Sequence, residues 1–120
     1  MRNFKLFVLL VCLFAVFSNA VDAETIRGKV VDRFGSPVEG VMVSAIDDLH
    51  RKWTSVFSQK EGSFEISNLR EGEHNIRTRL MGLADEWVSR VPAGTDDMVI
   101  QTRPAVGEEL ELQRPANSAL

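Results

Sequence analysis

Apolar and polar residues alternate along most of the chain after residue 24. In the segment 74–80, Ile76 and Leu80 fall on one side of an extended chain, whereas Arg77 and Arg79 fall on the other. A period of two is typical of β-strands that have one buried and one exposed face. The pattern predicts eight strands, at residues 25–32, 40–47, 52–58, 63–67, 74–81, 86–91, 98–103 and 108–113.

The last three segments carry more specific expectations. The sixth and seventh are expected to pair as a hairpin, with a loop that carries Trp87 inward as the alternative for the sixth. The eighth is expected to be a terminal or edge strand with Leu110 and Leu112 on its inner side. Residues 82–86 are the one segment that could form a helical turn instead.

Turns that contain glycine separate the strands. Each of these turns needs a left-handed backbone, which glycine adopts without steric strain. The turn glycines are Gly35, Gly62, Gly72 and Gly94. Short strands at regular spacing, each with a polar face, predict an all-β fold in which two antiparallel sheets pack as a seven- to eight-stranded β-sandwich. The expected core consists of Ile26, Val30, Val41, Val43, Phe57, Phe64, Ile66, Leu69, Ile76 and Leu80.

The first 23 residues have the pattern of a secretory signal peptide. Arg2 and Lys5 precede an uncharged apolar run at residues 6–17, and small residues follow, ending at Ala20 and Ala23. The apolar run is shorter than the ~20 residues that a membrane-spanning helix needs. We therefore expect export, cleavage of the signal and no stable membrane span afterwards.

The expected cleavage site lies between Ala23 and Glu24, with Val21 as an alternative first residue. The mature chain would then consist of one domain at residues 24–113 and a flexible polar tail at residues 114–120. A domain of this length has room for one modest hydrophobic core.

The composition of the expected mature chain excludes several classes of chemistry. Its cysteine count is zero, since Cys12 would leave with the signal, so disulfides and cysteine metal sites are excluded. Without Arg2, Lys5 and Asp22, the 14 basic and 17 acidic side chains fall to 12 and 16, a formal charge of about −4. This mild acidity gives no electrostatic reason to expect nucleic acid or an anionic membrane as partner.

Short motifs in the first half of the predicted domain point to a family. Residues 26–32 read Ile-Arg-Gly-Lys-Val-Val-Asp, and residues 34–43 read Phe-Gly-Ser-Pro-Val-Glu-Gly-Val-Met-Val. Glu-Gly-Ser-Phe-Glu-Ile follows at residues 61–66, and Leu-Arg-Glu-Gly-Glu-His-Asn-Ile at residues 69–76. This order resembles the carboxypeptidase regulatory-like family, which consists of small β-sandwiches of transthyretin-like, Greek-key topology.

The resemblance implies structural roles for the motif residues. Gly35 would turn the first hairpin, Pro37 would stiffen the return, and Gly40 would let the second strand start close to its neighbour. Gly62 and Gly72 are likewise expected to be structural turn residues.

Two positions depart from the family pattern. Ser58 and Gln59 stand where many relatives have Thr-Asp, so no carboxylate is expected to brace that turn. Gly82 and Leu83 stand where an aromatic residue often follows the glycine.

The resemblance also implies a non-catalytic, exported interaction or accessory module that docks on another periplasmic or cell-surface protein. Residues 113–120 are similar to the linker that precedes c-type cytochrome or propeller-like lyase domains in multidomain relatives. Such proteins are therefore candidate partners. The chain has no haem motif, and no cofactor is expected.

The residues favour neither catalysis nor a metal site. A hydrolase would need His50 or His74 in a pocket with a nucleophile such as Ser55, and a surface hydrogen bond to Glu73 is the simpler account of His74. Three acidic pairs in loops or strand ends could meet around calcium, but solvated pairs are the commoner case. These pairs are Asp47 with Asp48, Asp85 with Glu86, and Asp96 with Asp97.

Trp53 and Trp87 are the strongest candidate ligand-binding side chains. Exposed indoles on a sandwich, with Arg77 and Arg79 nearby, would suit the apolar faces of sugar rings, which makes carbohydrate binding the alternative function. Hydrophobic packing competes with this hypothesis, and we expect partial burial of Trp53 and core packing of Trp87.

The arginines themselves allow two interpretations. Arg77 and Arg79 could form a basic stripe with Arg27 and Lys29, or these residues could belong to ordinary solvated sheet faces in which Glu65 is interleaved. We prefer the second interpretation.

Overall fold

Seven β-strands and one short helix make up residues 23–114, the part of the chain that the computed structural model describes. The elements are β1 (Glu24–Val31), β2 (Met42–Asp47), β3 (Lys52–Phe57), β4 (Ser63–Leu69), β5 (Glu73–Arg79), β6 (Glu86–Pro92), β7 (Met98–Gln101) and the helix, α1 (Glu108–Gln113). The first seven predicted strands are confirmed, with bounds that shift by up to two residues at either end. The predicted signal peptide falls almost wholly outside the described residues, as does the tail beyond Arg114.

The strands form two sheets that pack face to face. One sheet has the order β4-β1-β7 and the other has the order β3-β2-β5-β6. The predicted all-β sandwich is therefore confirmed. The expectation of purely antiparallel pairing was wrong for β1 and β7, which run parallel.

The predicted hairpin between the sixth and seventh strands was also wrong. β6 pairs with β5 in the four-stranded sheet, whereas β7 crosses to the other sheet and pairs with β1. The alternating pattern shows which residues are extended, but it does not show which strand they join.

A continuous hydrophobic core lies between the sheets. Its buried side chains are Ile26, Val30, Val41, Val43, Ala45, Phe64, Ile66, Leu69, Ile76, Val91 and Ile100. Eight of the ten expected core residues are among them, and Leu80 packs against the core while partly buried. The expectation was wrong for Phe57, which is 66% exposed. Phe57 lies opposite Met42, and its neighbour Val56 lies opposite the buried Val43, so Phe57 points away from the core.

The segment 108–113 is a helix rather than the expected edge strand. Its sequence contains only Glu, Leu and Gln, which have high helix propensity, and it contains no β-branched or aromatic residue. Three glutamates lie in the first turn, where the helix dipole favours negative charge. The predicted inward side chains, Leu110 and Leu112, are both exposed. Within residues 23–114, no helix has the length and apolar character needed to cross a membrane.

The segment 82–86 does not form the helical turn that its sequence allowed. Leu83 makes an isolated bridge with Pro104, and the Ala84 amide donates a hydrogen bond of 2.9 Å to the Arg103 carbonyl. The Ala105 amide donates one of the same length back to the Gly82 carbonyl. The chain beyond β7 is therefore tied to the loop between β5 and β6.

The turn that follows β1 holds the expected glycine in a left-handed conformation, with a φ of 83° at Gly35. The Asp32 carboxylate accepts the amides of Phe34 and Ser36, at 2.8 and 2.9 Å, which folds the turn back on itself. Pro37 then bridges back to Val31. The turn is not a hairpin between paired strands as expected, since β1 and β2 belong to different sheets.

Ser58 braces the turn at which no carboxylate was expected. Its buried hydroxyl accepts the Val41 amide at 2.9 Å and donates to the Val38 carbonyl at 2.7 Å. The amide of Gly40, with a φ of 81°, donates to the Ser58 carbonyl at 2.9 Å. A hydroxyl thus links the two chain segments without a carboxylate. Gly72 has a positive φ as expected, and its carbonyl accepts the Ala93 amide at 2.8 Å.

Candidate functional site

The outer surface of the four-stranded sheet brings together all four predicted ligand-binding residues. Val43 and Ala45 of β2 point into the core, so the residues that alternate with them point outward. The strand register places their cross-strand partners on the same side. We call this surface the aromatic face; it consists of Met42, Ser44, Ile46, Trp53, Ser55, Phe57, Asn75, Arg77, Arg79 and Trp87.

Three large rings of the aromatic face are exposed to solvent. Trp53 and Phe57 lie on the edge strand β3 and are 56% and 66% exposed, and Trp87 lies on the opposite edge strand β6 and is 54% exposed. The expected core packing of Trp87 was wrong, because Trp87 lies opposite Arg77 on the outer side of the sheet. Trp53 buries somewhat less than half of its surface.

Polar side chains hold the Trp87 edge of the face in place. The Arg77 guanidinium lies 5.1 Å from the centre of the Trp87 ring, within cation–π range. The same guanidinium donates two hydrogen bonds to Asp85 Oδ2, at 2.6 Å from Nη2 and 3.2 Å from Nε. This edge of the face is therefore pre-organised, because the charge of Arg77 is already paired.

The centre of the face is short and closely packed. The hydroxyls of Ser44 on the central strand β2 and Ser55 on the edge strand β3 are 2.7 Å apart, so each hydroxyl has a hydrogen-bond partner. Ser44 and Ile46 are almost fully buried although they point outward, because larger side chains flank them. The small or buried side chains of β2 therefore lie between large exposed rings on the edge strands β3 and β6.

The basic stripe, the alternative that we did not prefer, does not form. Arg27 and Lys29 lie on β1 in the three-stranded sheet, whereas Arg77 and Arg79 lie on β5 in the other sheet. Arg27 instead makes ion pairs of 3.2 Å with Asp96 and 3.3 Å with Glu65, as in the preferred interpretation. The hydrogen bond to Asp96 and the charge of Glu65 raise the pKa of Arg27.

The two histidines do not form a catalytic site with Ser55. His74 is buried rather than on the surface as expected, and its Nε2 lies 2.8 Å from the Arg70 carbonyl instead of bonding to Glu73. The Ser55 hydroxyl is paired with Ser44, as described above. In the described part of the chain, His74 and Ser55 therefore have different local partners.

His50 and Asp47 form a separate pair at the end of β2. His50 Nδ1 lies 2.8 Å from Asp47 Oδ2, and the His50 amide donates to Oδ1 at 3.3 Å. Burial on its own would raise the pKa of Asp47, but these hydrogen bonds outweigh it and lower the pKa. The pair closes the turn after β2. Among residues 23–114, no group of three or more His, Asp or Glu side chains is arranged to hold a metal ion.

Sequence reasoning missed three hydrophobic members of the aromatic face, Met42, Ile46 and Phe57. The signal was present for Phe57, since Trp53, Ser55 and Phe57 alternate along one strand and must share a side. For Met42, the signal was its position next to the buried Val43. The apolar character of Phe57 suggested a place in the core instead.

Two facing sheets with an exposed aromatic surface define a small β-sandwich domain. The chain belongs to the carboxypeptidase regulatory-like domain family, whose sequence model matches residues 25–102. The resemblance that the motifs predicted is therefore confirmed. Among curated proteins, the comparison found no match for this sequence.

Solved structures support the sandwich architecture. One match is to a chain of a type II cohesin–X-dockerin complex from Acetivibrio cellulolyticus that carries a C-terminal interface mutation, with a TM-score of 0.57 and 15% identity. An N-terminal interface mutant of the same kind of complex matches with a TM-score of 0.56 and 14% identity. In both cases the alignment covers 68% of this chain and 58% of the other chain. At this identity, the similarity establishes the fold alone.

Proposed function

We propose that this chain is an exported, non-catalytic module that docks onto another exported protein through the aromatic face. The observation that carries the proposal is the exposure of three large aromatic rings on one pre-organised sheet surface. Tryptophan, phenylalanine, methionine and arginine are the residues that protein interfaces favour, and all four occur on this face. The similar structures come from complexes described as cohesin–X-dockerin, so a sandwich of this architecture occurs in protein complexes elsewhere.

The shape of the face also suits a protein partner. Anchor residues contribute most where binding removes water from them, and an unpaired polar group covered at the same time would oppose binding. Here Arg77 is already paired with Asp85, and Ser44 with Ser55, so a partner would cover few unpaired polar groups. An exported c-type cytochrome or a propeller-like enzyme remains the candidate partner, on the strength of the family resemblance.

Carbohydrate binding is the second candidate, because both indoles are exposed on the same face. The geometry limits the form it could take. Trp53 and Trp87 lie on the two edge strands, three strand spacings of ~4.8 Å apart, so the rings are separated by roughly 14 Å or more. They cannot stack on both sides of a single sugar ring, so a glycan would have to extend across the face.

A crosslinking experiment distinguishes a docking face from an inert surface. A photoreactive phenylalanine analogue would replace Phe57 or Trp87 in cells that express the chain, and Val99 would serve as the control, since it is exposed on the other sheet. We expect one crosslinked protein from the two face positions and none from Val99. Equal crosslinking from all three positions would contradict the proposal.

The identified partner should then be tested in purified form. Trp87→Ala is expected to weaken its binding about 30-fold, the effect of an interface hot spot of about 2 kcal/mol. Phe34→Ala is the control, because Phe34 is also an exposed aromatic residue, at 78% against 54% for Trp87, but lies in the turn after β1. If a glycan array instead gives a signal that Trp53→Ala removes, the carbohydrate hypothesis replaces this one.

Export is the other part of the proposal, and it rests on the pattern of residues 1–23. We expect the intact mass of the protein recovered outside the cytoplasm to correspond to a chain that begins at Glu24 or Val21. A mass that still includes Cys12 would show that the apolar run is an anchor.

A further inference from the structure

A groove lies at one end of the aromatic face, between the sheet and helix α1. It has a volume of about 390 Å³ and is lined mainly by apolar side chains. We call it the end groove; its apolar lining consists of Met42, Phe57, Leu80, Met81 and Leu112. Pockets of this size suit a few side chains of a ligand.

Polar anchors hold α1 against the sandwich and so form the second wall of the groove. Gln113 Oε1 accepts the Gly82 amide at 2.8 Å, and Gln113 Nε2 donates to the Leu83 carbonyl at 2.6 Å. Arg103 donates two hydrogen bonds to Glu109, at 3.0 and 3.1 Å. No residue of the helix is buried, so these contacts rather than hydrophobic packing determine its position.

Leu112 is 84% exposed although it faces the groove, and Met81 is also exposed. Together with Phe57, they leave the groove as an open apolar surface. Exposed apolar surface of this kind commonly marks an interaction site. The groove shares Met42, Phe57 and Arg79 with the aromatic face, so one partner could cover both.

Arg79 supplies the charge at this end of the face. It lines the groove and is exposed. The neighbouring guanidiniums are paired, Arg77 with Asp85 at 2.6 Å and Arg103 with Glu109 at 3.0 Å. Among residues 23–114, no carboxylate lies within 4 Å of the Arg79 guanidinium. Arg79 is therefore available to a carboxylate from outside.

We propose that the end groove binds an extended segment of the partner protein in which apolar side chains alternate with carboxylates. The apolar side chains occupy the groove against Phe57 and Leu112, and a carboxylate pairs with the Arg79 guanidinium. This inference rests on the proposed docking function and specifies the chemistry of the partner. Phe57 on β3 and Arg79 on β5 flank Met42 from opposite sides. Successive residues of an extended segment that lies over Met42 point to opposite sides, so apolar side chains can face Phe57 while carboxylates face Arg79.

A peptide titration followed by NMR tests the proposal directly. The probe is a capped hexapeptide of alternating leucine and aspartate, and the matched control peptide replaces aspartate with lysine. We expect the acidic peptide to shift the amides of Gly40, Met42, Phe57 and Leu80, with a dissociation constant of roughly 0.1 to 1 mM. We expect the basic peptide to bind at least fivefold more weakly.

Two pairs of variants assign the contacts. Arg79→Gln should weaken the acidic peptide at least fivefold, whereas Arg27→Gln, on the other sheet, should leave its affinity unchanged. Gln113→Ala should also weaken binding at least fivefold by releasing α1, with Gln101→Ala, an exposed position on β7, as its control. Circular dichroism should show the sandwich intact in all four variants.

Other results would overturn the proposal. Equal affinity for both peptides would show that Arg79 does not select a carboxylate. If the groove amides do not shift in the NMR titration, the groove is not the binding site. Groove shifts that appear on concentrating the protein alone would assign the surface to a second copy. If deletion of residues 115–120 produces the same shifts, the chain's own tail is the occupant. If the acidic peptide does not bind but Phe57 and Trp87 crosslink to one partner, the docking proposal is supported and only the proposed role of the end groove is contradicted.

Discussion

Replacement of Gly62 with alanine is expected to lower the free energy of unfolding by about 2 to 5 kcal/mol. Gly62 has a φ of 80°, a left-handed conformation that costs other residues roughly 1 to 2 kcal/mol. A Cβ atom at this position would lie 2.5 Å from the Val30 carbonyl oxygen and 3.1 Å from Pro37 Cβ. Relief of such a contact requires a backbone shift, which typically costs a further 1 to 3 kcal/mol.

The site has little freedom to adjust. The Gly62 carbonyl accepts the Val30 amide at 2.8 Å, and the Gly62 amide donates to the Gln59 carbonyl at 2.8 Å. Val30 is itself fully buried in the core. Any movement that relieves the new Cβ therefore disturbs β1 as well as the turn.

Gly35→Ala is the matched control for this substitution. Its φ of 83° is nearly the same, but a Cβ there would meet nothing within 4 Å. Only the conformational cost remains, about 1 to 2 kcal/mol. Thermal melts should therefore place Gly62→Ala well below Gly35→Ala, since each kcal/mol shifts Tm by about 4 to 8 °C in a domain of this size. Equal melting temperatures would show that the contact with Val30 does not constrain the turn.

Replacement of Ile76 with alanine is expected to cost about 2 to 5 kcal/mol. Ile76 is fully buried on the inner side of β5, between Ala45 of β2 and Val88 of β6. Loss of its side chain removes buried apolar contacts and leaves a cavity that the rigid sheets cannot close completely. Chemical denaturation should show a lower midpoint with an unchanged slope if the native state remains compact.

Trp87→Ala on the adjacent strand is the matched comparison. Although tryptophan is the larger side chain, Trp87 is half exposed on the outer side of the sheet, so its loss should cost about 1 kcal/mol or less. Ile76→Ala should therefore reduce stability, whereas Trp87→Ala should reduce partner binding. A large loss of stability for Trp87→Ala would mean that its ring supports the fold and would weaken the docking proposal.

The alternating pattern predicted the seven strands because burial of one strand face imposes a period of two. It also predicted most of the core, since the inner residues of those strands are aliphatic and have no other place in a two-layer fold. The turn glycines followed from local backbone sterics, as the positive φ values at Gly35, Gly40, Gly62 and Gly72 show. These properties depend on residues that are near one another in the chain.

The pattern failed where the decision depended on distant residues. The period-two leucines of α1 suggested a strand, but no sheet edge pairs with that segment, and the hydrogen bonds of Gln113 to Gly82 and Leu83 hold it as a helix. Likewise, the partner of β7 could not be predicted, because β1 lies about seventy residues earlier in the chain. Such pairings are decided by which contacts the whole fold makes available.

The candidate site shows the same division. The sequence by itself determined that Trp53, Trp87, Arg77 and Arg79 lie on strands, because alternation is a local property. Only the tertiary structure decided that all four share one outer face and that Trp87 is exposed. An indole has a large apolar ring and a polar N–H, so it can lie on the buried or the exposed side of a strand. The tertiary structure also decided that Gly62 is crowded by Val30 whereas Gly35 stands in open space, because that difference lies in what packs against each turn.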